Sequence, residues 1–247
     1  MQTCNECFKA RQWRNTGKTD EFGAVLRRCG NCGHVQAEPP PQGIKHPPRI
    51  LYYDIETAKM TVETFDLFVP SKRLHYSSIK EPPFLLCWSA AWVERDKPIR
   101  VLSGVLTPKE AKRRDDRRCL GELKELMNKA DYWVGHNSKA FDTKKTLLFF
   151  LLRRMGAPDL TIKQEDTLKL ARKYFKNDSD TLAYWLQRFG RPGKDKMESG
   201  DWDLCKAGDQ KALNKMRKYN KQDVKGGIEV LLEFWNYLES GNVRLFK

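Results

Sequence analysis

Two acidic residues directly follow an apolar run in RILYYDIETA, residues 49–58. Residues two apart in a strand project from the same face, so Asp54 and Glu56 would bring two carboxylates together. A carboxylate pair next to an apolar strand is costly to bury unless it binds a cation. Carboxylate oxygens are the ligands preferred by hard divalent ions such as Mg²⁺ and Mn²⁺. The pair therefore predicts a metal site, although a solvent-facing acidic pair has the same pattern.

A third acid closes the segment GHNSKAFD, residues 135–142. Asn137 and Ser138 are expected at the end of a strand, and Asp142 at the start of the next helix. An acid in that place is also favoured by the helix dipole alone, without any metal. A further acid, Asp166, is expected to cap the helix that begins at Thr167 rather than to take part in chemistry.

The fourth acid belongs to YNKQD, in which Tyr219 and Asp223 are four positions apart and share one face of a helix. The same spacing occurs in YFKND, with Tyr174 and Asp178. We prefer the later copy because it lies well inside a long amphipathic segment, whereas the earlier one runs into NDSD, a sequence typical of a helix end.

The cysteines suggest a second kind of metal site. CNEC and CGNC each place two thiolates on a tight turn, and two such turns complete the tetrahedral coordination of one Zn²⁺ by Cys4, Cys7, Cys29 and Cys32. A closed four-cysteine site has no open position, so its role would be structural. Unligated thiols and a redox pair are the alternatives, and His34 is a weaker candidate ligand. The three remaining cysteines are single and are expected to be reduced: Cys87, Cys119 and Cys205.

Charge and composition narrow the class of protein. The chain has 247 residues, with 46 Lys and Arg against 32 Asp and Glu, which gives a net charge of +14. This excess favours a polyanionic partner, usually nucleic acid, over a merely solvated basic surface. No apolar run approaches the ~20 residues of a membrane span, and the first residues lack a secretory signal. We therefore expect no membrane association and a cytoplasmic location, with a nucleoid or a viral replication site as alternatives.

A proline-rich stretch divides the chain. Residues 36–48, QAEPPPQGIKHPP, hold five of the 12 prolines and predict a semi-rigid linker. Residues 1–35 then form the cysteine module and residues 49–247 a single larger domain.

The larger domain combines strand and helix patterns. Strands are predicted at RILYYDI, ETFDLFV, FLLCWSAAWV, IRVLSGVL, DYWVGHN and TIKQED. Helices are predicted at LGELKELMNKA, FDTKKTLLFFLLRRMG, TLKLARKYF, DTLAYWLQRFG and the segment from residue 211 to 240. The FDTKKTLLFFLLRRMG helix is expected to be largely buried at its centre. The last segment is expected to be one long helix or a broken one, with Gly226-Gly227 as its weak point. Together these patterns predict an α/β fold with a mixed sheet flanked by helices.

DIET, GHNSKAFD and YNKQD, in this order and at wide separations, resemble the motifs of the DEDD superfamily of 3′–5′ exonucleases. The Tyr-x3-Asp ending resembles the subgroup with tyrosine rather than histidine. DIET and Asn-x3-Phe-Asp look most like the proofreading domains of family-B DNA polymerases and their stand-alone relatives. The resemblance covers about residues 49–235 and implies an RNase H-like fold. It does not include the cysteine module.

The resemblance implies phosphodiester hydrolysis with two Mg²⁺ or Mn²⁺ ions. It implies that Asp54 bridges both ions, that Glu56 and Asp223 complete the first site, and that Asp142 serves the second. Tyr219 would orient the attacking water, because its ordinary pKa near 10 makes it a poor base at neutral pH.

Substrate contacts follow from the same resemblance. Asn137 and Phe141 match positions that line a strand-binding cleft, although core packing is an equal alternative for Phe141. Thr57 follows the acid pair and would meet the terminal nucleotide through its backbone or hydroxyl. Cations crowd the last motif and would either contact phosphates or form a solvated helix face: Lys215, Arg217, Lys218, Lys221 and Lys225. The cysteine module carries the aromatic side chain of Trp13 and four arginines: Arg11, Arg14, Arg27 and Arg28.

The favoured function is a 3′–5′ exonuclease on single-stranded DNA. The alternatives are an RNA-trimming 3′–5′ exoribonuclease, since recognition of the 2′-OH depends on a few contacts, and a non-catalytic nucleic-acid-binding module. The cysteine module could in addition dock the chain to a polymerase or primase complex.

Overall fold

The protein is described by a computed structural model that covers residues 6–7, 13–20, 25–37, 47–65, 75–193 and 195–246. The N-terminal part forms a small antiparallel sheet of three strands in sequence order: β1 (Trp13–Thr19), β2 (Val25–Cys29) and β3 (Val35–Ala37). Cys4, Arg11 and residues 38–46 of the proline-rich stretch lie outside the described residues. The proposed domain boundaries therefore stay a prediction.

The larger part is built on a five-stranded mixed sheet. Its order is β10-β9-β4-β7-β8, in which β9 pairs in parallel with β10 and β4, and β7 pairs antiparallel with β4 and β8. The strands are β4 (Ile50–Thr57), β7 (Leu85–Trp92), β8 (Leu102–Val105), β9 (Tyr132–Gly135) and β10 (Lys163–Asp166). A two-stranded ribbon beside it joins β5 (Thr61–Val62) and β6 (Ile79–Glu81).

Seven helices are found in the described residues: α1 (Pro108–Arg113), α2 (Arg117–Lys129), α3 (Asp142–Leu152), α4 (Thr167–Tyr174), α5 (Leu182–Arg188), α6 (Ser199–Lys206) and α7 (Gln210–Ser240). The predicted α/β fold, a mixed sheet flanked by helices, is confirmed. The short helices α1 and α6 were not predicted. Of the predicted strand ETFDLFV, residues 63–65 lie outside any strand and residues 66–69 are not described.

The alternation of β4 decides which way its acids point. Leu51, Tyr53 and Ile55 enter the core that also contains residues of α2 and α3. Ile50 and Tyr52 enter the core formed with α4, α5 and α7. Because side chains alternate along a strand, Asp54 and Glu56 share the face of Tyr52, toward α7.

The glycine pair in α7 allows a close approach rather than a break. The helix is continuous through Gly226 and Gly227, which are both buried. A Cβ atom added at Gly227 would meet the Tyr52 hydroxyl at 2.0 Å, and one at Gly226 would meet Leu186 at 2.8 Å. The expected weak point is therefore where α7 lies closest to β4 and α5. Within the described residues, no helix combines the length and apolar character needed to cross a membrane.

Candidate metal centre

Three carboxylates from two elements converge at the end of β4. Asp54, Glu56 and Asp223 each offer an oxygen, and these atoms lie within 4.8 Å of one another. Asp54 and Glu56 belong to β4, and the nearly buried Asp223 comes from the middle of α7. Three negative groups at such short range repel one another unless a cation lies among them. The donor set is all oxygen, which fits Mg²⁺ or Mn²⁺.

A buried amide fixes the first of these acids. The Nδ2 atom of Asn220 donates a hydrogen bond of 2.5 Å to Oδ2 of Asp54. Asn220 is fully buried, and among the described residues its side-chain oxygen has no hydrogen-bond partner. Neighbouring residues of α7 thus supply both a carboxylate to the cluster and a donor that orients another.

Asp142 is not one of the three grouped carboxylates, but it contacts the backbone of β4 between Asp54 and Glu56. It is the first residue of α3, and its Oδ1 accepts a hydrogen bond of 3.1 Å from the backbone N–H of Ile55. The next residue, Thr143, is hydrogen-bonded at 2.7 Å to the hydroxyl of Tyr53, which anchors α3 to β4. Burial, together with the negative charges of Asp166 and Asp223, raises the pKa of Asp142 to about 7, against the hydrogen bond from Ile55, which lowers it.

Asp166 has a structural role, as the sequence indicated. Its carboxylate accepts the backbone N–H of Leu168 at 3.0 Å and so caps α4. It also accepts the backbone N–H groups of Asn137 and Lys139, at 2.9 and 3.1 Å. Asp166 therefore holds the turn that precedes α3, in which Asn137 has a left-handed backbone with φ of 64°.

Two aromatic residues stand beside the carboxylates. Tyr219 is half-buried on α7, and its ring lies edge-on to Trp202 with 6.4 Å between centroids. The indole Nε1 of Trp202 donates a hydrogen bond of 3.3 Å to Oε2 of Glu56. Trp202 thereby contacts both a cluster acid and the tyrosine of the last motif.

Ion pairs hold the short helix α6 in place. Lys59, just after β4, contacts the hydroxyl of Ser199 at 2.7 Å and the carboxylate of Asp203 at 3.3 Å. At the other end of α6, Lys206 pairs with Glu81 and donates to the hydroxyl of Thr61 at 2.6 Å. Because both ends are tied to the segment around β5 and β6, α6 keeps Trp202 over the cluster.

A groove of about 580 Å³ opens beside α6. Thr57 and Phe141, two of the three predicted substrate contacts, line it together with Lys145, Met197 and Trp202. Phe141 is 41% exposed, which argues against core packing as its role. The third predicted contact, Asn137, lies instead in the turn between β9 and α3. The groove has apolar walls and a cation, as a site for a base and a phosphate would.

Some of the cations near the last motif are engaged within the protein. Lys215 pairs with Asp201 at 2.6 Å, and Lys218 pairs with Asp195 at 2.7 Å. These contacts link α7 to the segment that carries α6. Phosphate binding by these two lysines would therefore have to replace ion pairs that they form within the protein.

The N-terminal sheet gathers a second cluster, of sulfur atoms. Cys7, Cys29 and Cys32 place their Sγ atoms within 4.8 Å of one another, and those of Cys7 and Cys29 are 3.8 Å apart. A tetrahedron with Zn–S bonds of about 2.3 Å has edges of about 3.8 Å. The backbone N–H of Asn31 donates to the Cys29 sulfur at 3.4 Å. His34 contributes its backbone oxygen to the turn and is not one of the three grouped ligands.

Two residues of the candidate site were missed from the sequence. Asn220 follows Tyr219 in YNKQD, and its only signal was a polar residue at a buried position of an amphipathic helix. Trp202 lies in SGDWDL, a short acidic segment without a clear helical period. Only the folded contacts of α6 reveal its place.

Scans against protein-family profiles and curated proteins found no match. Among solved structures, the chain is similar to the family B DNA polymerase from the hyperthermophilic archaeon Pyrobaculum calidifontis, with a TM-score of 0.53 and 17% sequence identity. The match covers 92% of this chain and 28% of the polymerase chain, so the protein spans less than a third of that neighbour. The similarity is one of fold.

Proposed function

We propose that the protein is a metal-dependent 3′–5′ exonuclease that hydrolyses single-stranded DNA. The observation that carries the proposal is the convergence of Asp54, Glu56 and Asp223 at the end of β4, with Asp142 in contact with the β4 backbone between the first two. The motifs in which these residues lie resemble those of the DEDD exonucleases. The fold similarity to a family B DNA polymerase supports the same class of function.

In the proposed site, Asp54, Glu56 and Asp223 would hold one Mg²⁺ or Mn²⁺, and Asp142 would serve a second together with Asp54. When bound, such ions stabilise the negative charge that develops on the entering and leaving oxygens of the phosphate. Asn220 keeps Asp54 oriented through its hydrogen bond, and Trp202 does the same for Glu56. Hydrogen bonds that fix the orientation of metal-ligating side chains raise the affinity of a site for its metal.

Tyr219 has the role of orienting the water that attacks the phosphate. Tyr219 lies on the same helix as Asp223, and its ring is held against Trp202. A phenol with an ordinary pKa near 10 carries its proton at neutral pH and acts through a hydrogen bond.

The groove beside α6 is the proposed site of the terminal nucleotide. Phe141 offers an exposed ring for stacking on a base, and Lys145 offers a cation for a phosphate. Thr57 lies next to the cluster and would contact the 3′ end, whereas Asn137 would act from the turn before α3. The excess of basic residues adds a salt-dependent attraction for the strand.

The cysteine cluster is proposed to hold one structural Zn²⁺, with Cys4 as the fourth ligand. The spacing of 3.8 Å between two sulfur atoms fits a tetrahedral site. So small a sheet has little core of its own, and bound metal would stabilise it. This module is also the proposed contact to a polymerase or primase complex.

Digestion of a 5′-labelled strand tests the proposal. DNA and RNA of the same sequence are incubated with the protein in Mg²⁺, Mn²⁺ and EDTA. The proposal expects DNA to shorten stepwise from its 3′ end only when a divalent ion is present. Preferential shortening of the RNA would instead identify an exoribonuclease. Strands that bind but stay intact in every condition would identify a non-catalytic binding module.

A further inference from the structure

Helix α3 carries apolar residues on its outer face as well as on its inner one. Phe149 and Phe150 are buried against the sheet. On the opposite side, Leu148, Leu151 and Leu152 are 43%, 74% and 62% exposed. The three leucines are spaced i, i+3 and i+4, so they form one continuous stripe. An apolar face of a helix is normally covered by other parts of a protein or by a partner. The burial that was expected at the centre of α3 is found only on its inner face.

Two shallow cavities lie along α3 beside this stripe, and Leu151 of the stripe lines one of them. One of about 440 Å³ is lined by Lys139, Lys144 and Ile162. The other, of about 330 Å³, is lined by Leu151, Arg154 and Leu160. Leu147 lines both cavities, which places them next to each other along α3, and Leu160 adds another exposed apolar side chain. We call this feature the α3 groove.

The charges at the two ends of the α3 groove have the same sign. Lys139 and Lys144 lie toward the start of α3, and Arg154 lies just after its end. None of these three side chains forms an ion pair in the part of the chain that the structure describes. The neighbouring acid Asp159 accepts hydrogen bonds from the backbone and hydroxyl of Thr161. A partner with acidic groups around an apolar centre would complement the groove.

We propose that the α3 groove binds an amphipathic helix of a partner protein, with an apolar stripe flanked by acidic residues. Helix α3 has 11 residues and is about 16 Å long, which matches about three turns of a bound helix. Such a helix would insert apolar residues at i, i+3 or i+4, and i+7 between the exposed leucines. Its acidic residues would meet the cations at the two ends, which favours acidic helices over basic ones. The surface is independent of the proposed hydrolysis.

Fluorescence anisotropy with three labelled 14-residue peptides tests this inference on the full chain. The first peptide has an apolar stripe and glutamates elsewhere, the second has the same stripe with lysines, and the third is the acidic peptide interrupted by two prolines. The acidic helix is expected to bind at least tenfold more tightly than the other two. Equal binding of the acidic and basic peptides, or of the proline-interrupted one, would overturn the proposal.

Two variants locate the binding. Leu151→Asp places a charge in the centre of the stripe at a site that is already 74% exposed, and it is expected to weaken binding of the acidic peptide tenfold or more. Leu102→Asp changes a 45% exposed leucine on β8 and is expected to leave binding within twofold. Equal effects of both variants would contradict the assignment. A dimer in sedimentation that Leu151→Asp dissociates would show instead that a second copy covers the groove.

Discussion

The indole N–H of Trp202 donates a hydrogen bond to Glu56 across 3.3 Å, although the two residues are 146 positions apart in the chain. Glu56 lies near the end of the central strand, whereas Trp202 belongs to a short helix that ion pairs hold in place. This contact orients one carboxylate of the candidate metal centre from outside the three acidic motifs.

Removing this donor should weaken metal binding. Trp202→Phe keeps an aromatic ring near Tyr219 but loses the N–H that faces Glu56. We expect the affinity for Mn²⁺, measured by calorimetry, to fall about tenfold, because removing a hydrogen-bond partner of a metal ligand typically has an effect of this size. Trp235→Phe is the matched control, since Trp235 packs against Arg95 and Phe246. Unchanged Mn²⁺ affinity in Trp202→Phe would contradict the role given to this contact.

The two tyrosines with identical spacing to an acid offer a paired experiment. Tyr219→Phe should reduce kcat for strand hydrolysis by roughly 100-fold and leave KM nearly unchanged, because a misplaced water slows chemistry more than binding. Tyr174→Phe changes the copy at the end of α4 and should leave both constants within twofold. Similar kinetics of the two variants would rule out an orienting hydroxyl at Tyr219.

The buried Asp142 should destabilise the protein when no metal is bound. Its burial and the nearby negative charges raise its pKa to about 7. Asp142→Asn keeps an oxygen to accept the Ile55 N–H and removes the charge. We expect this variant to gain about 1–3 kcal/mol in EDTA, seen as a higher Tm, and to lose hydrolysis. A lower Tm than the wild type in EDTA would contradict the assigned repulsion.

The cysteine cluster predicts a defined metal content and thiol reactivity. We expect one zinc per chain by elemental analysis, lost when Cys4 and Cys29 are both replaced by serine. Chelation should expose four thiols to a thiol reagent at pH 8. Cys119 and Cys205 should stay slow, because burial raises the pKa of each to about 12. Full reactivity of the first four thiols before chelation would argue against bound zinc.

Much of the fold could be predicted because its signals are local. The apolar run before Asp54 indicates a central strand, and the helical spacing of apolar residues around Tyr219 indicates a long helix. The glycine pair misled, because Gly226 and Gly227 are needed for close packing against Tyr52 and Leu186, which is a tertiary contact. A backbone preference read along the sequence does not contain that information.

The residues of the candidate site also fall into those that local motifs predict and those that only tertiary contacts reveal. Strand periodicity links Asp54 with Glu56, only the resemblance to the DEDD exonucleases joins this pair to Asp223, and the structure brings the three together. Trp202 and Asn220 could not be selected, since their relevance depends on hydrogen bonds between distant segments. The exposed leucines of α3 were expected to be buried because composition alone does not distinguish the two faces of an apolar helix.

The most direct test of the proposed activity compares two aspartate variants on a 5′-labelled single strand of DNA in Mg²⁺. Asp54→Asn removes one charge from the carboxylate cluster, whereas Asp178→Asn alters an exposed acid that accepts a hydrogen bond from Tyr184. We predict that the wild type and Asp178→Asn shorten the strand from its 3′ end, and that Asp54→Asn slows this at least about 1,000-fold. Equal shortening by both variants would contradict catalysis at the cluster.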